Sequence, residues 1–501
     1  MLQTASIGKA MKTSGFVIGI FLSLATGVSA TVRYVDVNST NATPPYTNWA
    51  TAAITIQDAV DAANPGDDVL VTNGVYATGF RRSSDLDYNR VVVGKALQLR
   101  SVNGPASTLI DGGQMYRCVY LTNDALLSGF TLTNGGSKHG GGAIRCASTN
   151  SLITECVITG NGSEGGGGGA YSGTLSNCSI VRNLSSGGLA AGAGEGGGVY
   201  RSSLFHCTVM RNFADAVGGG AADSTLNNCL VVSNRAQLYG GASYLGFMKN
   251  CLLSGNSVGS AGILCKGGGA FDAALENCTV ANNTADLGGG LAVSSGSVRA
   301  TNSIIYFNSA TNSPDYIGGA QMLDHCCTPT VTGGNGCISN EPAFVNRVIG
   351  DFRLDGISPC INSGRTLSGS VADLDDNPRI SGGTVDIGAY EFQSPASQIS
   401  YVWLQQYGLT NDGSTDFADT DGDSHNNWQE WRAGTIPTNS ASVLRLQNPT
   451  NDASGVDLNW QSVAGKTYFL ERATDLSASP LLPVASNILG QAGTTSYLGK
   501  R

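Results

Sequence analysis

The sequence predicts an all-β chain wound as a solenoid of short coils, and three observations carry that prediction. One phrase recurs seven times between Gly140 and Asn308. It reads GGGGGAYSGTLSNCSIVRN from Gly165 to Asn183, GGGVYRSSLFHCTVMRN from Gly196 to Asn212 and GGGAADSTLNNCLVVSN from Gly218 to Asn234. Its shortest period is 22 residues, as between Cys156 and Cys178, with apolar residues alternating and turn residues between them. A period that short, with strand alternation and no helical spacing, marks a β-solenoid whose coils stack at the ~4.8 Å strand spacing. Glycine, at 69 of 501 residues, is roughly twice its usual ~7% share, and charged residues at 13% fall well below the usual ~25%. Hydrophobics at 41% exclude a disordered chain. The net charge of −9 argues against a nucleic-acid partner, which needs a clustered basic face.

Taken in order, the chain opens with a secretory leader over residues 1–30. Lys9 and Lys12 form its basic region, Gly15 to Thr26 its apolar stretch, and Val28 to Ala30 its small-residue cleavage site. The apolar run is shorter than the ~18–20 residues of a membrane span, so the mature chain is expected to begin at Thr31, outside the cytoplasm, with no later transmembrane segment. Val32 to Val37 reads as a strand. Ile54 to Ala63 has helical spacing and stops at Asn64-Pro65-Gly66. A helix there suits a cap, because the open end of a solenoid exposes apolar surface and unpaired strand edges. Asp68 to Val71, Val91 to Val93 and Leu97 to Leu99 supply the first strands.

The coils align on one column: Gly129, Cys156, Cys178, Cys207, Cys229, Cys251, Cys278 and Ser303. Five residues after each stands an asparagine: Asn134, Asn161, Asn183, Asn212, Asn234, Asn256, Asn283 and Asn308. Asparagine at a bend suits left-handed backbone and can hydrogen-bond along the stack. Glycine runs such as Gly196–Gly198 mark a corner where a Cβ would clash. Thirteen cysteines in an exported chain would normally mean a disulfide framework. In-register neighbours point the same way, however, so the column cysteines read as small, reduced, buried hydrophobes. Cys326, Cys327, Cys337 and Cys360 lie past the repeat, where one or two disulfides are expected.

The repeat resembles the right-handed parallel β-helix proteins of the pectate-lyase-like superfamily. Within it, Glu341 to Val345, Asp351 to Leu354, Ser358 to Gly364 and Asp376 to Glu391 (DNPRISGGTVDIGAYE) are similar to secreted bacterial proteins of the choice-of-anchor Q kind. That resemblance covers roughly residues 31–392 and implies fold and export, with a final closing strand at Val385 to Phe392; it carries no shared active site. A looser likeness is to the chlamydial polymorphic outer-membrane proteins, through Gly141 to Ile144 and Ile180 to Asn183.

Polygalacturonases on this fold group aspartates with Gly-His-Gly and Arg-Ile-Lys motifs, and neither motif occurs here. His139, His206, His325 and His425 are scattered. Arg182 and Arg211 stack one place before the asparagine ladder. Counting from the end of each glycine run gives a mixed column of Arg145, Ser172, Arg201, Asp223, Tyr244 and Asp272. Facing solvent, Arg182, Arg201, Arg211, Asp223, Tyr244 and Asp272 are the candidate ligand-binding residues, for a polysaccharide or cell-surface glycan; a solvated face of charge pairs is the plainer reading.

Residues 393–440 read as a linker holding a calcium loop and a helix. Asp419, Asp421, Asp423 and Glu430 take positions 1, 3, 5 and 12 of such a loop, with Asn427 at 9 and the His425 carbonyl at 7. Calcium wants many oxygens on a short loop and a carboxylate returning from the next helix. Position 6 is Ser424 and the glycine is Gly422, an arrangement similar to thrombospondin type 3 and dockerin-like repeats. Residues 441–501 alternate as short strands around Trp460, a fibronectin-III-like sandwich with too few strands to read as complete. The whole therefore reads as an exported scaffold that binds carbohydrate along its flank without catalysis. A polysaccharide lyase or hydrolase on that flank, and a surface adhesin, are the alternatives.

Overall fold

The computed structural model describes residues 30–187, 194–260, 262–294, 299–319, 322–330, 334–369, 371–452, 455–473 and 482–500. All but the last residue of the leader lies outside them. From Val32–Val35 onward the chain winds as a right-handed parallel β-helix. One coil shows the path: Thr174–Ser176, Ser179–Val181, Leu184–Ser185 and Val199–Tyr200 each add a short strand to a different sheet. Stacking these coils gives faces of twelve, ten, eight and eleven strands among the described residues. Apart from the antiparallel pair Arg81–Arg82 with Tyr88–Val93, pairing is parallel and in register, as where Leu175 faces Leu204 and Ile180 faces Val209. The inward side chains Ile153, Leu175, Leu204, Leu226 and Met248 form one fully buried stack, and Ile158, Ile180, Val209, Val231 and Leu253 another. Each such burial contributes ~1.5–3 kcal/mol.

Four corners turn each coil, and two depend on residues with positive φ that precede the buried column member. Asn177 (φ 52°) precedes Cys178, and Arg182 (φ 56°) precedes Asn183. The ladder asparagines therefore do not take the left-handed conformation themselves; their predecessors do. Instead each asparagine is buried and bridges coils. Asn183 donates its backbone N–H and its Nδ2 to Asn212 Oδ1 (2.9 and 3.0 Å), and its Nδ2 also donates to the Ile158 carbonyl (2.9 Å). The glycine corner is dictated by contact: at Gly167 (φ 72°) a Cβ would run into the Ala170 carbonyl oxygen.

Two column assignments are corrected by the register. Leu127 pairs with Ile153, which places Phe130, not Gly129, beside Cys156. Asn134 accordingly leaves the ladder and takes the left-handed place (φ 51°), while Gly135 donates to Asn161. At the other end Ala300 pairs with Leu323, so Cys326 follows Ser303 in the cysteine column. The bridges Asp324–Asn335 and Cys327–Ile338 then set Cys337 next to Cys326. These two cysteines continue the stack rather than lying in loops, and all thirteen cysteines are free thiols. Burial pushes the Cys118 and Cys146 thiols up to about 12, as expected of inert core sulfur.

Helix α1 (Ile56–Ala62), capped by Thr55, lays Ile56, Ala59 and Val60 over the first coils. At the far end, Val385 to Phe392 forms no strand. Scattered backbone bonds and side chains hold it: Ile387 N–H donates to the Cys360 carbonyl, Asp386 accepts from the N–H groups of Asn362 (2.7 Å) and Phe392 (2.6 Å), and Glu391 from those of Ser381 and Asp386. The buried Arg379 donates to the Asp386 and Gly388 carbonyls within this knot. Beyond it come α2 (Tyr401–Gln406), α3 (Asn427–Ala433) and antiparallel strands, Gly455–Ser462 pairing with Gly493–Lys500 and Thr467–Arg472 with Leu482–Leu489. No helix among the described residues is long and apolar enough to cross a membrane.

Candidate functional sites on the flank and in the acidic loop

Five of the six flank residues picked from the sequence occupy left-handed corners: Arg182 (φ 56°), Arg201 (52°), Arg211 (54°), Asp223 (48°) and Asp272 (47°). A corner keeps its side chain out of the apolar core, but Asp272 does not face solvent as expected: it is buried against Ser294. The structure divides the six between two faces. Arg182 and Arg211 stand on successive coils where the ten-stranded face turns to the eight-stranded one. Arg201, Asp223 and Asp272 stand where the eleven-stranded face ends. There Arg201 Nε pairs with Asp223 Oδ2 at 3.1 Å, and Asp272 accepts from the Ser294 N–H at 2.7 Å.

The mixed column itself is corrected. Arg145 pairs with Tyr171, Tyr171 with Tyr200, Ala222 with Tyr244 and Tyr244 with Phe271. Arg145 and Tyr244 thus belong one column before Ser172, Arg201, Asp223 and Asp272. Alanine takes the last glycine place at Ala143 and Ala242, so counting from the end of the glycine run slips by one in those two coils. The true column is largely aromatic. The Arg145 guanidinium lies 4.1 Å from the Tyr171 ring centre, Tyr171 meets Tyr200 edge-on at 5.3 Å, and Tyr244 stacks on Phe271 at 5.7 Å.

Beside Arg182 the surface opens into a cleft of about 420 Å³. Gly135, Gly136, Gly160 and Gly162 line it together with Gln114, Ser137, Glu164, Arg182 and Ser186. A Cβ at Gly162 would meet nothing within 4 Å, so the open space reaches the backbone itself.

A polar network at the first coils went unread in the sequence. Arg117 is fully buried, yet its guanidinium donates to Asp85 (2.9 Å), Asp87 (2.7 Å), Asn89 (2.9 Å), Ser137 (2.9 Å) and the Gly140 and Gly141 carbonyls. Burial opposes charge on Asp85 and Asp87, but hydroxyls of Ser83 and Ser137 and the Arg117 guanidinium outweigh it and hold both below the usual carboxylate range. His139 Nδ1 lies 2.9 Å from Asp87 Oδ1, with the ring half exposed, and Arg145 Nε lies 3.2 Å from Asp85. The signal available was the alternation Asp85, Asp87, Asn89 leading into a strand whose Asn89 pairs with Arg117.

The acidic loop brings carboxylate oxygens of Asp419, Asp421 and Asp423 within 4.8 Å of one another. Positive φ at Gly422 (79°) and Ser424 (80°) curls the loop, and Asp419 accepts from the N–H groups of Gly422, Asp423 and Ser424. Asn426 caps α3 through a reciprocal bond pair with Gln429, and so aims Glu430 back at the loop. Asp421 Oδ2, Asp423 Oδ2 and Glu430 Oε2 are buried without a hydrogen-bond donor. Burial first, then Asp421, Asp423 and Asp419, push the Glu430 carboxyl up to about 7. Converging hard oxygens with unfilled lone pairs fit a divalent cation. Asn427 stands apart from the group: its Oδ1 accepts from Thr420 and its Nδ2 donates to the Thr415 carbonyl. His425 Nδ1 lies 3.3 Å from Asp423 Oδ1, out of line for a hydrogen bond.

No family model matches the sequence, and no curated protein does. Among solved structures the chain is similar to the pectate lyase Pel9A, with 17% identity over 73% of this chain and 97% of that one and a TM-score of 0.46. It is also similar to a rhamnogalacturonan lyase (13% identity, 63% and 91% covered, TM-score 0.38) and to an alginate lyase from Paenibacillus sp. str. FPU-7 (12%, 54% and 95%, TM-score 0.27). The likeness lies in the parallel coils alone, and no residue role is carried over.

Proposed function

We propose that this chain is an exported β-helix scaffold that holds a polysaccharide on its flank without cleaving it, with calcium on the acidic loop fixing the segment behind the solenoid. The observation that supports it best is the glycine-rich cleft at Arg182. Glycines make up much of its lining, and its side chains offer amide, hydroxyl, carboxylate and guanidinium groups suited to sugar hydroxyls and carboxylates. Export rests on the leader and on the likeness to choice-of-anchor Q proteins. Calcium rests on the orphaned oxygens of Asp421, Asp423 and Glu430.

The test is binding to a panel of neutral and uronate-containing polysaccharides. Arg182→Ala is expected to weaken binding about tenfold, the worth of one charge-assisted hydrogen bond. Unchanged affinity removes the cleft from the reading. A second reading, a polysaccharide lyase or hydrolase, is favoured by His139 held by Asp87 beside Arg145. Unsaturated product absorbance or new reducing ends, lost in His139→Ala, would establish it in place of the first.

A further inference from the structure

Past the last coil, α2, α3 and the turn before Thr467–Arg472 enclose a second concavity of about 590 Å³. Its walls include Trp403 and Tyr407 from the α2 segment, Trp431 and Arg432 from α3, Lys466 from the turn and His325 from the solenoid end. The aromatic groups are anchored from behind. Trp403 and Trp431 pack against the core of Ile361, Ile387, Ile399 and Leu404, and Tyr407 meets Trp403 edge-on at 5.0 Å. His325 is fixed by Asp324 at 2.8 Å, which Arg365 also pairs at 2.7 Å.

The cations are arranged differently. Among the described residues, neither Arg432 nor Lys466 has a carboxylate within ion-pair distance, in a chain whose net charge is −9. Lys466 lies with its Cε over Gly434 and its Nζ 3.5 Å from the Arg432 carbonyl. Burial, then Arg432, hold its ammonium below its ordinary range. Two like charges share one wall without a neutralising partner, an arrangement that an incoming anion relieves.

We infer that this pocket is a binding site for a sugar ring bearing a carboxylate, a hexuronate, taken either as a free monosaccharide or as the end of an acidic chain. Aromatic faces stack on the apolar C–H side of a sugar ring, while Lys466 and Arg432 pair with its carboxylate. The occupant is chosen as a sugar in keeping with the carbohydrate reading above. The site is separate from the Arg182 cleft, so each can fail alone.

The experiment is calorimetric titration of the full chain with galacturonate, glucose and a short oligogalacturonate. Galacturonate is expected to bind at least about tenfold more tightly than glucose. Lys466→Met, which keeps the stem over Gly434, and Trp431→Phe are each expected to lose about tenfold with an unchanged melting temperature. Arg182→Ala is expected to leave galacturonate binding intact. Preference for the oligomer over the free sugar assigns the site to chain ends, and equal binding assigns it to the monosaccharide. No binding of galacturonate, equal binding of glucose, or full binding by Lys466→Met overturns the inference. If the pocket variants fail only by melting early, galacturonate protection of the wild-type melting temperature decides: no rise at saturating sugar overturns it as well.

Discussion

At the scale of single residues, the asparagine ladder shows why one residue type recurs. The carboxamide is both donor and acceptor, and every coil needs both. Asn212 donates its N–H and Nδ2 to Asn234 Oδ1, donates Nδ2 to the Ile180 carbonyl, and accepts from Asn183. The ladder ends at Asp315, which only accepts, from the N–H and Nδ2 of Asn308 at 2.8 and 2.9 Å. An acceptor suffices there because Asp315 has no further rung to donate to. Asn212→Ala is expected to lower stability by about 3–5 kcal/mol in urea unfolding, since it orphans several buried groups at ~1–3 kcal/mol each. A loss below about 1 kcal/mol would mean the neighbours repair the gap. The recurrence was plain in the sequence, whereas its conformation was not: the left-handed strain falls one residue earlier, on Arg182 and Arg211. The ladder and its corner are adjacent in sequence, and only backbone geometry assigns the bend to one of them.

At the scale of elements, the acidic loop and the closing segment make opposite demands on charge. In the loop, carboxylates converge with their oxygens unpaired. Calcium is expected to raise the melting temperature reversibly to chelator, and Asp421→Ala to abolish the rise. Absence of any heat on titrating the wild type with calcium would remove the ion from the account. In the closing segment, burial pushes Asp386 up to about 7 and Glu391 to about 9, and Arg379 beside them only partly offsets this. Both folded values lie above the ordinary carboxylate range, so the fold favours the protonated groups. Their contribution is complete below about pH 4 and is lost as pH rises through about 7 and then 9. Asp85 and Asp87, held low, act in the other direction and lose their contribution only in acid. Melting is therefore expected to weaken from about pH 6 to pH 9; a flat or rising profile would show that Asp386 and Glu391 ionise freely. The acidic loop was legible because its carboxylates lie within twelve residues, an interval short enough to bring them together. The knot was misread as a strand because Val385 to Phe392 alternates like one, while its backbone bonds are divided between side chains and scattered backbone groups of other segments, with no strand partner.

At the scale of the whole molecule, each coil contacts its two neighbours, so the fold is nearly one-dimensional and its ends decide solubility. Helix α1 covers one end with Ile56, Ala59 and Val60. Val60→Asp is expected to uncover that end and drive association, seen as light scattering well below the wild-type melting temperature; a monomeric variant would show the cap to be dispensable. The sequence by itself determined the solenoid, the coil length, the inward columns and the acidic loop. These are nearest-neighbour features, written again in every period or within one short loop. Only the tertiary structure decided what shares a face. It buried Arg117 between Asp85 and Asp87, some 30 residues away, and separated Arg182 from Arg201. It extended the cysteine column through Cys326 to Cys337, and it gathered Trp403, Trp431 and Lys466 around one pocket. Such groupings depend on how many residues each corner inserts, and a one-residue slip, as at Ala143 and Ala242, moves a side chain into another column.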